Sequence, residues 1–254
     1  MINQKLISIT LCVILVLGYP ISCQAKETPS YNWYAKRNHE HRQPVLEKEF
    51  DFIQEYNAVY VGKEDDDKKI YLTFDVGYEN GNTEKILNVL KEENVSAAFF
   101  VLSHFVNAST HLVLRMQQEG HLVCNHSANH KDMTKLSRSE FDNELKELND
   151  LMIEKTGKTA EPYYRPPKGT FSKESLQWAS ENGYKTVFWS LCYADWDNNK
   201  QPSPEYAKAL LDSNIHNGAV ILLHPTSATN AAILKDLIQC WKQDGYTFAT
   251  LRDL

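Results

Sequence analysis

The feature that most constrains the fold is an alternation, from residue 70 onward, of short apolar runs with stretches of helical periodicity. The apolar runs are continuous, which is typical of parallel strands buried on both faces. The stretches between them carry apolar residues at helical spacing, and several end at a glycine. This pattern predicts an α/β fold in which helices cover a parallel sheet. The predicted strands are 70–74, 97–101, 121–124, 163–164, 186–191, 219–223 and 247–251.

The number of strands does not by itself decide how the sheet closes. Seven such strands form either a barrel or an open doubly wound sheet. The segment after the first strand, Gly77-Tyr78-Glu79-Asn80-Gly81, has neither the Walker spacing nor the dinucleotide-binding fingerprint. We therefore expect no nucleotide loop there.

The first 25 residues have the order of an export signal. Lys5 precedes an apolar run over 6–18, followed by helix-breaking Pro20 and small residues before position 26. The run is shorter than the about 20 apolar residues of a membrane span. We predict a signal peptide over 1–25, no membrane span after its cleavage, and a secreted or cell-wall-associated protein. An uncleaved anchor is the alternative.

Residues 26–67 form an N-terminal arm that is rich in aromatic and charged residues and shows little periodicity. Its segment 30–34 could pack on the main domain, residues 68–254, or reach a ligand, and packing is the simpler interpretation. The formal net charge of −6 argues against a nucleic-acid partner, because phosphate contacts need a basic face. A neutral or polymeric substrate remains compatible with this charge.

Ionisable residues follow five of the seven predicted strands. In parallel barrels the carboxyl ends of the strands form the active site, so these residues are expected on one face. Taken singly, each has a structural interpretation, such as a turn residue or a core histidine. Two histidines four residues apart share one side of a helical turn and can bind one metal ion. The residues are Asp75, His126, His130, Arg165, Asp195 and His224.

Together these segments resemble the polysaccharide deacetylase family, the NodB-homology carbohydrate esterases. The resemblance covers about residues 68–251 and implies a distorted (β/α)7-type barrel of parallel strands, the NodB-homology fold. The five family motifs are matched in order by Thr73-Phe74-Asp75-Val76-Gly77, His126-Ser127-Ala128-Asn129-His130, Arg165-Pro166-Pro167, Asp195-Trp196 and Leu222-Leu223-His224.

Further segments are similar to the branch of the family that removes the acetyl group from N-acetylmuramic acid in peptidoglycan. That branch makes muramic δ-lactam in the spore cortex, so peptidoglycan glycan strands are the expected partner. Two alternatives stay open. The substrate could be another N-acetylated glycan, such as the N-acetylglucosamine of peptidoglycan or chitin oligomers, or the chain could be a non-catalytic glycan-binding relative.

The resemblance also implies roles for the strand-end residues. Asp75 would be the general base, Arg165 its ion-pair partner, His224 the general acid and Asp195 the group that orients His224. A divalent metal ion, zinc or another transition metal, would bind His126 and His130. Substrate contacts are expected from Tyr78, Pro166, Trp196 and Leu222, the last pair forming a pocket for the acetyl methyl group.

Val76 departs from the family pattern. The family usually has a second aspartate at this position, which is the third protein ligand of the metal ion. Valine has no donor atom, so we expect the ion to be weakly held, with more water in its coordination shell.

Overall fold

A sheet of parallel strands with helices on its outer side forms the main part of the molecule. The computed structural model describes residues 29–37, 39–64 and 68–254, so the predicted export signal lies outside the described residues. The strands are β1 Tyr31–Asn32, β2 Ala58–Val59, β3 Lys69–Val76, β4 Ala98–Val101, β5 Leu122–Asn125, β6 Glu161–Tyr164, β7 Thr170–Phe171, β8 Lys185–Val187, β9 Leu191–Cys192, β10 Val220–Leu223 and β11 Thr247–Phe248.

The α-helices lie between these strands along the chain. In the part of the chain that the structure describes, none of them is long and apolar enough to cross a membrane. They are α1 Thr83–Glu92, α2 Ser103–Ala108, α3 Thr110–Gln118, α4 Arg138–Thr156, α5 Lys173–Glu181, α6 Pro204–Asn214 and α7 Ala228–Gln243.

The main sheet has the order β2-β8-β6-β5-β4-β3-β10-β9, and every pairing in it is parallel. Strands β8 and β9 are two parts of one segment, 185–192. Its first part pairs with β6 and its second part with β10. The segment thereby joins β3, β4, β5, β6 and β10 into a ring, which confirms the distorted barrel of parallel strands expected from the sequence.

The bounds of most predicted strands shift by one to two residues, and two predicted strands are broken or shortened. The fifth, expected to be continuous over 186–191, is interrupted because Arg165 donates hydrogen bonds to carbonyl groups of this segment. Its Nε donates to the oxygen of Val187 at 2.9 Å and its Nη2 to that of Phe188 at 3.2 Å. The last, expected over 247–251, is limited to β11, which pairs with the first two residues of β3 and stays outside the ring.

The alternation of side chains along β3 separates the two sides of the barrel wall. Ile70, Leu72, Phe74 and Val76 point outward into the core shared with the helices. Tyr71 and the two polar residues Thr73 and Asp75 point the other way, where Tyr71 belongs to a second apolar cluster inside the barrel. This alternation turns Asp75 toward the interior at the carboxyl end of the sheet.

Residues of the arm contribute to that second cluster. β1 pairs antiparallel with β7, and the buried Trp33 stacks on Phe188 with ring centroids 4.4 Å apart. The indole Nε1 of Trp33 donates to the carbonyl oxygen of Trp189 at 2.8 Å. These contacts hold the arm against the carboxyl end of the barrel.

Candidate functional site

A cavity of about 720 Å³ opens at the carboxyl ends of the barrel strands. Six of the residues singled out from the sequence line it, namely Asp75, His126, His130, Trp196, Leu222 and His224. Arg165 and Asp195 are fully buried behind this lining, where each contacts one of its members. The structure thus brings together the residues that follow five different strands.

Arg165 is the centre of a buried hydrogen-bond network. Besides the two carbonyl groups described above, its Nη1 donates to Oδ1 of Asp75 at 2.8 Å and its Nη2 to Oγ1 of Thr73 at 2.9 Å. The guanidinium lies over the ring of Phe100, 4.2 Å from its centroid. A fully desolvated guanidinium needs this degree of hydrogen bonding, and the network fixes its position against Asp75.

Asp75 is held in its ionised form. Burial raises the pKa of its carboxyl group, but the positive charge and hydrogen bond of Arg165, together with the nearby histidines, lower the pKa below its usual range. Arg165 occupies Oδ1, whereas Oδ2 lies 3.6 Å from Nε2 of His126. A carboxylate in this position can accept a proton from a molecule in the cavity.

His126 is a neutral imidazole whose tautomer is fixed by the backbone. Its Nδ1 lies 2.8 Å from the carbonyl oxygen of Arg165, which can only accept, so Nδ1 carries the proton. Burial lowers the pKa of His126 to about 4. The unprotonated Nε2 therefore faces the cavity, as required of a metal-ligating histidine with a backbone partner.

His126 and His130 lie on a loop, not on the helical turn assumed from their spacing. Ser127 and His130 have left-handed φ values of 71° and 54°, and the two imidazole centroids are 5.1 Å apart. The buried carboxylate of Glu144, on α4, accepts the backbone N–H of Asn129 at 2.8 Å and holds the loop. The two imidazoles are close together, as their spacing predicted, but a tight loop brings them together instead of a helical turn.

These residues fit a divalent ion only in part. The two imidazoles are suitable donors, but Val76 belongs to the outward-facing core and has no donor atom. Within residues 29–37, 39–64 and 68–254, no group of three histidine, cysteine, aspartate or glutamate side chains is arranged to hold a metal ion. The set is one protein donor short of the three that catalytic zinc sites usually have.

Asp195 and His224 form the second buried pair. Oδ1 of Asp195 accepts from Nδ1 of His224 at 2.8 Å, while Oδ2 accepts the backbone N–H of His224 at 2.7 Å. Nδ2 of Asn230 donates to the same Oδ2 at 2.6 Å. Because Nδ1 is hydrogen-bonded to the buried Asp195, Nε2 is the ring nitrogen of His224 that is available to a molecule in the cavity.

The balance of effects on His224 favours its protonated form. Burial lowers the pKa of the imidazole, but the hydrogen bond and charge of Asp195, with a contribution from Asp75, raise the pKa above its ordinary value. The cavity therefore presents an ionised carboxylate and a histidine that holds a proton. Such a pair can take a proton from water and give one to a leaving group.

The expected substrate contacts divide into two sets. Trp196, 61% exposed, and the buried Leu222 both line the cavity. Pro166 is buried and lies outside the lining, where its carbonyl oxygen accepts the N–H of Gly169 at 3.0 Å. Tyr78 is exposed, bonds Asn198 through its hydroxyl group, and also lies outside the lining.

Several residues that line the cavity were not predicted as site residues, although segment 30–34 was given ligand contact as an alternative to packing. They come from the arm and from the loops after β6 and β8, and no periodic pattern marks them. The aromatic composition of the arm and the position of Lys168 just after a motif were the available signals. They are Trp33, Tyr34, Arg37, Lys168, Gly169 and Trp189.

An acid–base pair in a cavity at the carboxyl ends of parallel strands defines a hydrolase-type site on a barrel. Residues 62–187 match the family model described as polysaccharide deacetylase. The chain is 40% identical to the peptidoglycan-N-acetylmuramic acid deacetylase PdaA of Bacillus subtilis, over 97% of this chain and 94% of that protein. It belongs to the polysaccharide deacetylase family, as its motifs predicted.

The solved structure of the same relative and one further relative agree with this assignment. The solved structure of Bacillus subtilis PdaA, described as a family 4 carbohydrate esterase, superposes with a TM-score of 0.85 at 42% identity, covering 89% of this chain and 96% of that one. A peptidoglycan-N-acetylglucosamine deacetylase of Bacillus cereus is 30% identical, over 80% of this chain and 73% of that protein.

Proposed function

We propose that this protein is an exported hydrolase that removes N-acetyl groups from peptidoglycan, with N-acetylmuramic acid as its sugar. The observation that carries the proposal is the pair of buried ion pairs, Asp75–Arg165 and His224–Asp195, that face one cavity. Hydrolysis of an amide needs a base for the attacking water and an acid for the departing amine. The two pairs supply both.

Asp75 is the proposed general base. Its free oxygen, Oδ2, takes a proton from the water that attacks the acetyl carbonyl carbon, while Oδ1 stays bound to Arg165. The buried guanidinium holds the carboxylate in one orientation and ionised at neutral pH. Its charge also stabilises Asp75 against desolvation.

His224 is the proposed general acid. Asp195 engages Nδ1, so the cavity-facing Nε2 gives its proton to the nitrogen of the departing amino sugar. The raised pKa of His224 keeps that proton available near neutral pH. Leu222 and Trp196 line the same cavity and offer apolar surface to the acetyl methyl group.

The proposed metal site consists of His126 and His130, with water as the remaining ligands. A divalent ion bound there would polarise the acetyl carbonyl group and lower the pKa of a bound water. The neutral tautomer of His126 supports this assignment. The valine at position 76 supports weak binding.

The choice of sugar is supported by the relatives. The chain is 40% identical to an N-acetylmuramic acid deacetylase and 30% identical to an N-acetylglucosamine deacetylase. We extend the proposal to the making of muramic δ-lactam in spore cortex, and to export through the signal peptide predicted over residues 1–25. N-acetylglucosamine of peptidoglycan and chitin oligomers are the alternative substrates.

Acetate release from peptide-free glycan strands tests the proposed activity. Wild-type protein should release acetate, and Asp75→Asn, which keeps the shape of the side chain, should lower kcat by roughly 10²–10⁴ because the base is lost. Circular dichroism and thermal melting establish that the variant is folded. Equal turnover by the two proteins would overturn the assignment.

A non-catalytic glycan-binding function is the second candidate, and Val76 is the observation that favours it. If this candidate holds, wild-type protein binds glycan strands in calorimetry, releases no acetate with or without added zinc, and binds equally well after Asp75→Asn. Acetate release by the wild type excludes it.

A further inference from the structure

The loop that carries the two histidines, residues 126–130, lies against helix α4. The carbonyl oxygen of Glu144 on that helix accepts the backbone N–H of Ala128 at 3.1 Å. The carbonyl oxygen of Leu145, the next residue of the helix, accepts Nδ2 of Asn125 at 3.1 Å. Asn125 directly precedes the loop. The helix therefore holds both the start and the middle of the loop.

The side chain of Glu144 adds a further attachment. Its Oε2 accepts the backbone N–H of Asn129 at 2.8 Å, and its Oε1 accepts Nδ2 of Asn129 at 3.1 Å and Nζ of Lys131 at 2.8 Å. Only 2% of Glu144 is exposed, so these donors replace the water that a carboxylate normally binds. Asn129 and Lys131 are the two neighbours of His130 in sequence, and Glu144 thus holds the chain on both sides of that histidine.

The carboxylate of Glu144 is ionised although it is buried. Burial raises its pKa, but the hydrogen bonds from Lys131 and Asn129 lower that pKa below its ordinary value. Removing a charge from water costs free energy that an apolar side chain at this position of α4 would not incur. The contacts with the loop are therefore what distinguishes a glutamate from an apolar residue here.

The imidazoles of the two histidines are held in different ways. The ring of His126 is oriented by its own hydrogen bond, from Nδ1 to the carbonyl oxygen of Arg165 at 2.8 Å. In the part of the chain that the structure describes, neither ring nitrogen of His130 has a hydrogen-bond partner, and only its backbone N–H is bonded, to Oγ of Ser127 at 3.0 Å. Metal-ligating histidines usually have a partner on the second ring nitrogen. The position of the His130 ring therefore depends on the backbone of the loop.

That backbone is strained where the histidine stands. His130 has φ 54°, in the left-handed region that is unfavourable for a residue with a side chain. Such a conformation persists only where surrounding contacts hold it. The bonds that Glu144 accepts from the neighbouring residues are contacts of this kind.

We propose that Glu144 is a positioning residue that holds His130 in place as a metal ligand. This inference rests on the proposed function, in which His126 and His130 bind the divalent ion. The carboxylate fixes the chain on both sides of His130 and so replaces the orienting partner that its imidazole lacks. Its effect on the site passes through Asn129 and Lys131.

Zinc affinity in a double-mutant cycle tests this role. Glu144→Gln keeps the size of the side chain but turns one acceptor oxygen into a donor amide. It should weaken zinc binding to the purified protein, measured by calorimetry, at least about tenfold, as the loss of an outer-shell partner does. In His130→Ala protein the same change should alter the affinity by less than about twofold, because the ligand through which Glu144 acts is absent.

Leu148→Ala and Glu154→Gln are the controls on the same helix. Leu148 is fully buried in the core, so its truncation loosens α4 and should lower the free energy of unfolding in urea. Glu154 is exposed, and its change removes a negative charge alone. Both variants should keep the wild-type zinc affinity. An affinity of Glu144→Gln within about twofold of the wild type, an equal loss in His130→Ala protein, or the same loss in Leu148→Ala would overturn the positioning role.

Acetate release from peptide-free glycan strands separates this inference from the proposed function. Glu144 lies outside the cavity lining, so Glu144→Gln should lower kcat and leave KM near the wild-type value. The expected zinc affinities without acetate release by any of the proteins would refute the enzyme and leave the positioning role. Acetate release by the wild type, with unchanged zinc affinity and kcat in Glu144→Gln, would refute the positioning role and leave the enzyme. Wild-type protein that binds no zinc would also refute the positioning role.

Discussion

Asp195 holds His224 through both carboxylate oxygens, one bonded to the imidazole Nδ1 at 2.8 Å and the other to the backbone N–H of the same residue at 2.7 Å. The carboxylate therefore fixes the position of the ring as well as its charge. Because the pKa of His224 is raised, the proton on Nε2 is retained at pH values where an isolated histidine would have lost it.

Asp195→Asn is expected to shift the basic limb of the pH profile of kcat/KM toward lower pH. A general acid works only while protonated, so activity falls as pH rises through the pKa of His224. Without the Asp195 charge, the lowering of the pKa by burial is opposed mainly by Asp75, so the pKa of His224 falls. The limb should move by at least about one pH unit. A profile that keeps the wild-type limb would contradict the role given to this pair.

Arg165→Met is expected to raise the pKa of Asp75 and to destabilise the protein. Removing the guanidinium leaves a buried carboxylate without its main partner, a change that costs about 3–5 kcal/mol in comparable buried pairs. Urea unfolding measures this cost. Adding Asp75→Asn to the same protein should recover part of the stability, because the buried charge is then gone. If the double variant lost as much free energy of unfolding as the two single variants together, the two side chains would not be coupled.

Val76→Asp is expected to couple zinc binding to stability. In the presence of chelator the new carboxylate is buried in the outward-facing core and should lower the melting temperature. Added zinc should restore part of it, and calorimetry should show at least about tenfold tighter binding than in the wild type, because a carboxylate that turns from the core toward His126 and His130 supplies a third donor. Val76→Leu is the control, because leucine is close to aspartate in size and has no donor atom. Unchanged zinc affinity would count against the position assigned to the metal ion.

His121, away from the cavity, is expected to contribute to acid unfolding. Burial lowers its pKa to about 4, and its Nδ1 accepts the backbone N–H of Ala97 at 3.2 Å. The unfolded chain binds this proton below about pH 6.5, so stability is full above that pH and is lost as pH falls toward 4, by on the order of 3 kcal/mol. His121→Asn should flatten the pH dependence of the unfolding free energy between pH 6.5 and 4. An unchanged slope would argue that another group dominates.

The parts of the molecule that depend on residues adjacent in the sequence could be predicted. Continuous apolar runs indicated the parallel strands, and the residue after each run indicated the face that carries the site. The break in the fifth strand was not predictable in this way, because it depends on a hydrogen-bonded partner, Arg165, more than twenty residues away. The loop that carries His126 and His130 was mistaken for a helical turn for a similar reason: Glu144, on a later helix, fixes its shape.

The arm was the least predictable part of the site. Trp33 is buried through contacts with Phe188 and Trp189, and Arg37, four residues later, lines the cavity. Neither residue belongs to a periodic pattern, so the sequence offered only the aromatic composition of the segment. The division into an arm over 26–67 and a domain over 68–254, and the signal peptide over 1–25, remain predictions.

Mass spectrometry of muramidase-digested glycan strands tests the central claim most directly. Peptide-free strands are incubated with the wild-type protein, digested, and compared sugar by sugar with untreated strands. The proposed function predicts that muramic acid loses its acetyl group while glucosamine keeps it. Strands that retain every acetyl group, or that lose acetyl groups only from glucosamine, would contradict it.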